Sequence, residues 1–285
     1  MTFKSKILLC QEEVKISTHS DGAVSIKIPK LFAPDWSNTN NWVIYANIKD
    51  PSGMLGLIYL LDHLNTNIDY IDHTFALDLS YFPNARQDRV TGDDEYETPN
   101  TLKTFCNLLE SYKCLTVVYA SDVHSNVPSI LVNKLSEQNH LQSFIVTVPL
   151  ETVDQIDYFI SPDLGAYKKV KSIADNYDLP YLVAQKERHP VTREIELSLT
   201  TNVDLTGKTV MICDDILDGG STFIELSKIL KETYKVDKVL LYITHGLFSY
   251  NFDKLCKHID KIYCRYSWKE FQGEDADFIM YSELF

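Results

Sequence analysis

Thr209-Val-Met-Ile-Cys-Asp214-Asp215-Ile-Leu-Asp218-Gly219-Gly220-Ser221-Thr222 is the stretch on which the fold class turns. Its opening apolar run does not alternate, the pattern of a strand buried on both faces of a sheet. Two carboxylates follow, then a Gly-Gly turn, then Phe223, Leu226 and Leu230 at helical spacing. Thr222 and Glu225 have the T-x-x-E spacing of a capping box, which predicts a helix starting there. Ligands of open α/β sheets bind at this strand-to-helix edge. Glycines let backbone N–H groups approach phosphate oxygens, and a helix N-terminus favours an anion. Adjacent carboxylates suit ribose hydroxyls, or Mg²⁺ as hard oxygen ligands. A solvated acidic turn is the plain alternative. Neither G-x-x-x-x-G-K-[ST] nor G-x-G-x-x-G occurs, so P-loop and Rossmann readings lack their signatures.

Short apolar runs alternate with amphipathic segments along the rest of the chain, which predicts α/β architecture with mainly parallel sheets. Strands are expected at 43–48, 74–79, 115–119, 144–148, 158–160, 181–184, 209–213, 239–243 and 261–264. Helices are expected at 54–64, 101–112, 128–137, 166–177 and 222–234. One strand–helix series ends near 141–150, dividing the chain into domains 1–145 and 146–285. The 285 residues carry a formal charge of −13, which argues against non-specific binding to nucleic acid or anionic membrane. No apolar run approaches the ~20 residues that span a bilayer, and the first residues do not read as a signal peptide. Six cysteines without a C-x-x-C pair read as buried free thiols of a reducing compartment. A soluble, cytoplasmic protein is the expectation.

Further segments carry chemistry. Tyr81-Phe-Pro-Asn-Ala-Arg86-Gln87-Asp88-Arg89 follows a strand. An Arg fork holds polyphosphate bidentately and a Gln amide meets a nucleotide's polar edge; a surface salt-bridge cluster is the plain alternative. Ser121-Asp122-Val-His124 ends another strand, and residues two apart on a strand share a face. Ser161-Pro-Asp163-Leu-Gly165-Ala166-Tyr-Lys168-Lys169 leads into a helix, Gln185-Lys186-Glu187-Arg188-His189 places two cations one residue apart, and Thr244-His245-Gly246-Leu-Phe248-Ser249 follows a strand, with His245 read as structural. A solvated β-hairpin also accounts for residues around 186–199, since Ile195, Leu197 and Leu199 alternate with polar residues.

In this order the segments resemble the ribose-phosphate diphosphokinases, enzymes built on the type I phosphoribosyltransferase fold. The resemblance implies two phosphoribosyltransferase-like domains, with catalytic groups at C-terminal strand ends and at the domain interface. It implies Mg²⁺-dependent transfer of the β,γ-diphosphate of ATP to the anomeric hydroxyl of a ribose-phosphate acceptor. Lys186 and Arg188 are then catalytic. Arg86, Gln87, Asp88, Arg89 and His124 contact ATP, as do His19 and Asp21 of a neighbouring subunit, so a homodimer or larger homo-oligomer is implied. Asp163, Asp214, Asp215, Asp218, Gly219, Gly220, Ser221 and Thr222 hold the ribose phosphate. Asp122, His124, Asp163, Asp214 and Asp215 are the implied metal ligands.

Three segments depart from the family pattern. His19 and Ala23 flank Asp21-Gly22 where Phe and Glu stand in the family's F-x-D-G-E segment. Acidic Asp93-Asp94-Glu95 replaces a basic stretch of its ADP/phosphate regulatory site, so that allosteric site is expected to be absent or changed. Gly219 stands where the family loop has Thr, removing a hydroxyl donor and leaving room for a substituent on the phosphate. An acceptor such as ADP-ribose therefore stays open beside ribose 5-phosphate. So do a phosphoribosyltransferase, which would not need Arg86–Arg89 or the Asp122/His124 pair, and a non-catalytic regulatory subunit.

Overall fold

The computed structural model describes residues 4–29, 41–67, 73–92, 96–188, 195–250, 252–272 and 278–282. It divides into two compact units, Met1–Gln138 and Asn139–Phe285. In the first, β1 is Lys6–Leu9, β2 Glu12–Glu13, β3 Lys15–Thr18, β4 Val24–Lys27, β5 Asn41–Asn47 and α1 Pro51–Thr66. There follow β6 Thr74–Leu79, β7 Thr91–Gly92, β8 Glu97–Thr98, α2 Thr101–Ser111, β9 Leu115–Ser121, α3 Val127–Leu131 and β10 Leu135–Gln138. The sheet order is β10-β9-β6-β5-β1-β2, parallel from β10 to β5 and antiparallel at β1 and β2.

The second unit opens with α4 His140–Ile145 and α5 Leu150–Val153, then β11 Tyr158–Ser161, α6 Tyr167–Tyr177 and β12 Tyr181–Val183. Next come the hairpin strands β13 Gln185–Arg188 and β14 Ile195–Ser198, β15 Thr209–Leu217 and α7 Ser221–Lys228 with a π-turn over Ile229–Thr233. The unit closes with β16 Lys238–Gly246, α8 Phe252–Leu255, β17 Lys261–Ser267 and β18 Ile279–Ser282. Its sheet, β12-β11-β15-β16-β17-β18, is parallel throughout.

The unbroken apolar run of β15 follows from burial on both faces. Val210 and Ile212 join the core that includes Leu226 and Leu230 behind α7, while Met211 and Cys213 join Phe144, Val170 and Ile173 behind α4 and α6. Four of the six cysteines are buried, and burial pushes the Cys106 and Cys114 thiols to about 11 and that of Cys264 to about 12. Such thiols stay protonated and are poor nucleophiles or metal ligands.

Two expected elements are corrected. The run 144–148 is not a strand: Asn139 and Gln142 form a reciprocal capping box that starts α4, and Phe144 anchors it against Phe159 and Tyr242. The helix expected over 128–137 stops at Leu131, and Leu135–Gln138 pairs in parallel with Val118–Ser121 as an edge strand. Edge pairing satisfies the backbone there and overrides the weak helical spacing.

Asp50 caps α1 and ties the strand before it to the chain start. Its Oδ1 accepts from Gly53 N–H at 2.8 Å, and its Oδ2 accepts from Ser5 N–H at 2.9 Å and Ser5 Oγ at 3.0 Å. Partial burial raises its pKa, but hydrogen bonds from Ser52, Gly53 and Ser5 together hold it below the usual carboxylate value. A depressed pKa means stability that is present above the unfolded value of ~3.9 and lost as pH falls through the folded one. Asp50→Ala is expected to lower unfolding free energy by ~1–2 kcal/mol at pH 7. The deficit should shrink below about pH 4. Urea melts at both pH values check this, and a deficit independent of pH would contradict it.

Candidate functional site

Asp214 and Asp215 lie in the second half of β15. Asp215 is 5 % exposed, and its N–H donates to Asp214 Oδ1 at 2.8 Å. Lys169, on the first turn of α6, places its ammonium 2.8 Å from Asp215 Oδ2. Burial, and then the Asp215 and Asp163 carboxylates, push the Asp214 carboxyl well above its ordinary range, while its bond from Asp215 N–H and the Lys169 charge act the other way. The pair is thus an electrostatically crowded group held by one nearby ammonium, able to give oxygen to a hydroxyl or a cation.

Gly220, at φ +76°, turns the chain into α7. A side chain is strained at that angle, and one there would lie 2.9 Å from Leu255 Cδ1. The helix begins at Ser221 without a side-chain cap, so the expected Thr222/Glu225 capping box is corrected: glycine makes the turn instead. First-turn N–H groups of a helix have no intrahelical partner, which suits them to an anion.

The turn after β16 braces this loop. Leu247 N–H donates to Leu217 O at 2.7 Å, Ser249 N–H to Asp218 O at 3.2 Å, and Ser249 Oγ to Asp218 Oδ1 at 2.6 Å. The Tyr250 ring then covers Gly219, where a Cβ would lie 2.4 Å from its Cε2. The room expected beside Gly219 is therefore corrected: an aromatic ring fills it. Neither this brace nor the Lys169–Asp215 pair was read from the sequence, because both join residues 30 or more apart.

Asp163 Oδ1 accepts from Gly165 N–H at 2.8 Å and Ala166 N–H at 3.1 Å, opening α6. His245 is 1 % exposed and stacks on Tyr266 with ring centroids 5.7 Å apart. Lys186 pairs with Leu197 and Arg188 with Ile195 across the β13–β14 hairpin. The backbone of Lys186 and Arg188 is described but their side chains are not, and His189 lies outside the described residues.

In the first unit, Arg86, Gln87 and Arg89 are exposed on a loop anchored by buried Tyr81 and Phe82. The start of α2 holds that loop: Thr101 Oγ1 donates to Gln87 Oε1, and Asn100 Nδ2 to Asp88 O at 2.8 Å. Asp88 meets Arg89 Nε at 3.3 Å, but Arg89 is 76 % exposed and such a pair contributes little. The expected shared strand face of Asp122 and His124 is corrected. β9 ends at Ser121, Asp122 is left-handed at φ +44° and buried, and His124 is exposed. His19 and Asp21 sit on the exposed β3–β4 turn, where His19 Nε2 meets Ser25 Oγ at 2.8 Å and Asp21 Oδ1 accepts from Ala23 N–H. Residues 93–95 lie outside the described residues.

Among the described residues, no group of three or more His, Cys, Asp or Glu side chains could hold a metal. Mg²⁺ does not need one, since it takes one or two carboxylates and completes its shell with water and substrate phosphates. The hard oxygens of Asp214 and Asp215 fit that requirement. No described helix is long and apolar enough to cross a membrane.

No family model matches the chain. It is 29% identical over 185 residues to a ribose-phosphate pyrophosphokinase of Pyrococcus furiosus, covering 65% of this chain and 63% of that protein. It is 30% identical over 172 residues to ribose-phosphate pyrophosphokinase 2 of Saccharomyces cerevisiae, covering 59% and 51%. The matches thus span between half and under two thirds of these relatives' length. The fold matches phosphoribosylpyrophosphate synthetase from Mycobacterium smegmatis with a TM-score of 0.65 and 16% identity, covering 87% of this chain and 78% of that one. Over part of its length the chain is thus similar in sequence to ribose-phosphate pyrophosphokinases, and its fold is that of phosphoribosylpyrophosphate synthetase.

Proposed function

We propose that the protein is a Mg²⁺-dependent ribose-phosphate diphosphokinase that converts ATP and ribose 5-phosphate to 5-phosphoribosyl 1-diphosphate and AMP. The observation that carries this is the 214–222 loop: paired carboxylates at a strand end, then a glycine turn into a helix with no side-chain cap. Asp218 to Thr222 hold the 5-phosphate, and Asp163, Asp214 and Asp215 orient the ribose. The anomeric oxygen attacks the β-phosphorus, the bond from that phosphorus to the AMP oxygen breaks, and the hydroxyl proton passes to solvent. Mg²⁺, when held by the Asp214 and Asp215 carboxylates and substrate phosphates, offsets phosphate charge. Arg86, Gln87, Asp88, Arg89 and His124 bind the nucleotide, Asp122 gives a further oxygen donor, and His19 and Asp21 complete a neighbouring subunit's site in a homo-oligomer. Catalysis rests on positioning and electrostatics, because phosphoryl-type transfer asks little covalent help of the protein.

A second reading keeps the chemistry and changes the acceptor to a substituted ribose phosphate such as ADP-ribose. The Tyr250 ring fills the space beside Gly219, and its 63 % exposure leaves an open ring face against which a substituent on the phosphate could lie. Incubation with Mg-ATP and each acceptor, read as AMP release, is the test. AMP with ribose 5-phosphate supports the first reading, and AMP with ADP-ribose alone supports the second. No AMP with either acceptor would remove both and leave a phosphoribosyltransferase or a regulatory subunit.

A further inference from the structure

Gly219 and Tyr250 form a matched pair. A methyl group on Gly219 would lie 2.4 Å from Tyr250 Cε2, 3.0 Å from Cζ and 3.1 Å from Cδ2. The ring therefore occupies the space of the side chain that Gly219 omits. Cζ bears the phenol oxygen, and a threonine hydroxyl at 219 would branch from that same methyl position. The phenol and the missing hydroxyl thus serve the same few ångströms of the loop rim.

The ring's place is fixed by its backbone. Ser249, the residue before it, is bonded twice to Asp218, and Phe248 is 4 % exposed at φ +50°, packed edge-on against Phe252 and Phe271. The turn that carries Tyr250 is thus anchored to the same loop that the ring covers. At 63 % exposure, the ring is open to a ligand arriving at the loop.

We propose that Tyr250 is a substrate-binding residue of the phosphate loop, whose phenol donates to the acceptor's phosphate in place of a hydroxyl at position 219. This rests on the assignment of 218–222 as the phosphate site, and it applies to a monoester or a substituted phosphate alike. The Gly219/Tyr250 combination then sets which phosphates the loop accepts. It also fits glycine at 219, since a Cβ there would meet the ring and make it shift.

The test uses calorimetric binding of inorganic phosphate and of ribose 5-phosphate, together with steady-state kinetics. Tyr250→Phe, which deletes only the hydroxyl, should weaken phosphate and acceptor binding ~10- to 100-fold, the loss of one hydrogen bond to a charged group. The loss should fall on KM more than on kcat. Gly219→Thr alone should also weaken binding, because it collides with the ring. Gly219→Thr combined with Tyr250→Ala should recover binding to within a few-fold of wild type, since the hydroxyl returns from the loop itself. Wild-type affinity in Tyr250→Phe, or purely additive losses in the double variant, would overturn the proposal. Should wild type bind phosphate in a Tyr250-dependent way yet turn over neither acceptor, the proposal stands and the diphosphokinase reading fails. If wild type binds neither phosphate nor acceptor, both fall.

Discussion

Lys186→Ala and Arg188→Ala are each expected to lower kcat at least ~100-fold while acceptor binding changes far less. The diphosphate in transit spreads charge onto oxygens that are less charged in bound ATP. A cation that strengthens its contact only as that charge moves lowers the barrier without tightening the ground state. β13 places Lys186 and Arg188 two residues apart, hence on one face of the hairpin, with Lys186 opposite Leu197. Leu197 belongs to the buried cluster that includes Ile224 of α7, and α7 opens at the 214–222 loop. The hairpin is therefore rooted beside that loop. Single-turnover measurement of AMP formation, with acceptor affinity measured separately, checks the expectation. Full kcat in both variants would take the catalytic role from this hairpin.

The strand 209–217 and its helix were legible because burial on both faces leaves a mark that local sequence carries. Val210, Met211, Ile212 and Cys213 must all be apolar when cores lie above and below them. The same logic failed at 144–148, where an equally apolar run is a helix end: Phe144 is fully buried, whereas Ile145 and Val146 are exposed. The deciding signal was local but polar, the N-x-x-Q spacing of Asn139 and Gln142. Asp122 and His124 show a different limit. Their spacing implied one face, yet the strand stops at Ser121 and Asp122 turns left-handed, a conformation Asp tolerates better than most residues. Gly219 shows the third limit. Sequence marks a missing side chain, but only the return of the chain after β16 shows that Tyr250 takes its space.

Lys169→Met is expected to cost ~3–5 kcal/mol of stability and to lower kcat/KM for the acceptor by more than ~100-fold. The argument starts from two carboxylates adjacent on one strand, with Asp215 8 % exposed in its side chain. Carboxylates so placed repel each other and have given up most of their water. The Lys169 ammonium, 2.8 Å from Asp215 and 22 % exposed, offsets part of both terms. Removing one partner of a buried pair leaves the other charge poorly compensated, which is why a single truncation costs more than the pair is worth. Lys169→Met combined with Asp215→Asn should therefore regain most of the stability, since neither charge remains. It should not regain activity, because the carboxylate proposed to orient ribose and metal has gone with it. Lys169→Arg should sit between, keeping the charge but changing the reach. Urea unfolding at pH 7 and acceptor kinetics on the same three variants separate the two roles of the ammonium. Equal stability of wild type and Lys169→Met would show that the crowding at Asp214 and Asp215 is relieved by something other than this lysine. Recovery of activity in the double variant would show that Asp215 does not touch the acceptor.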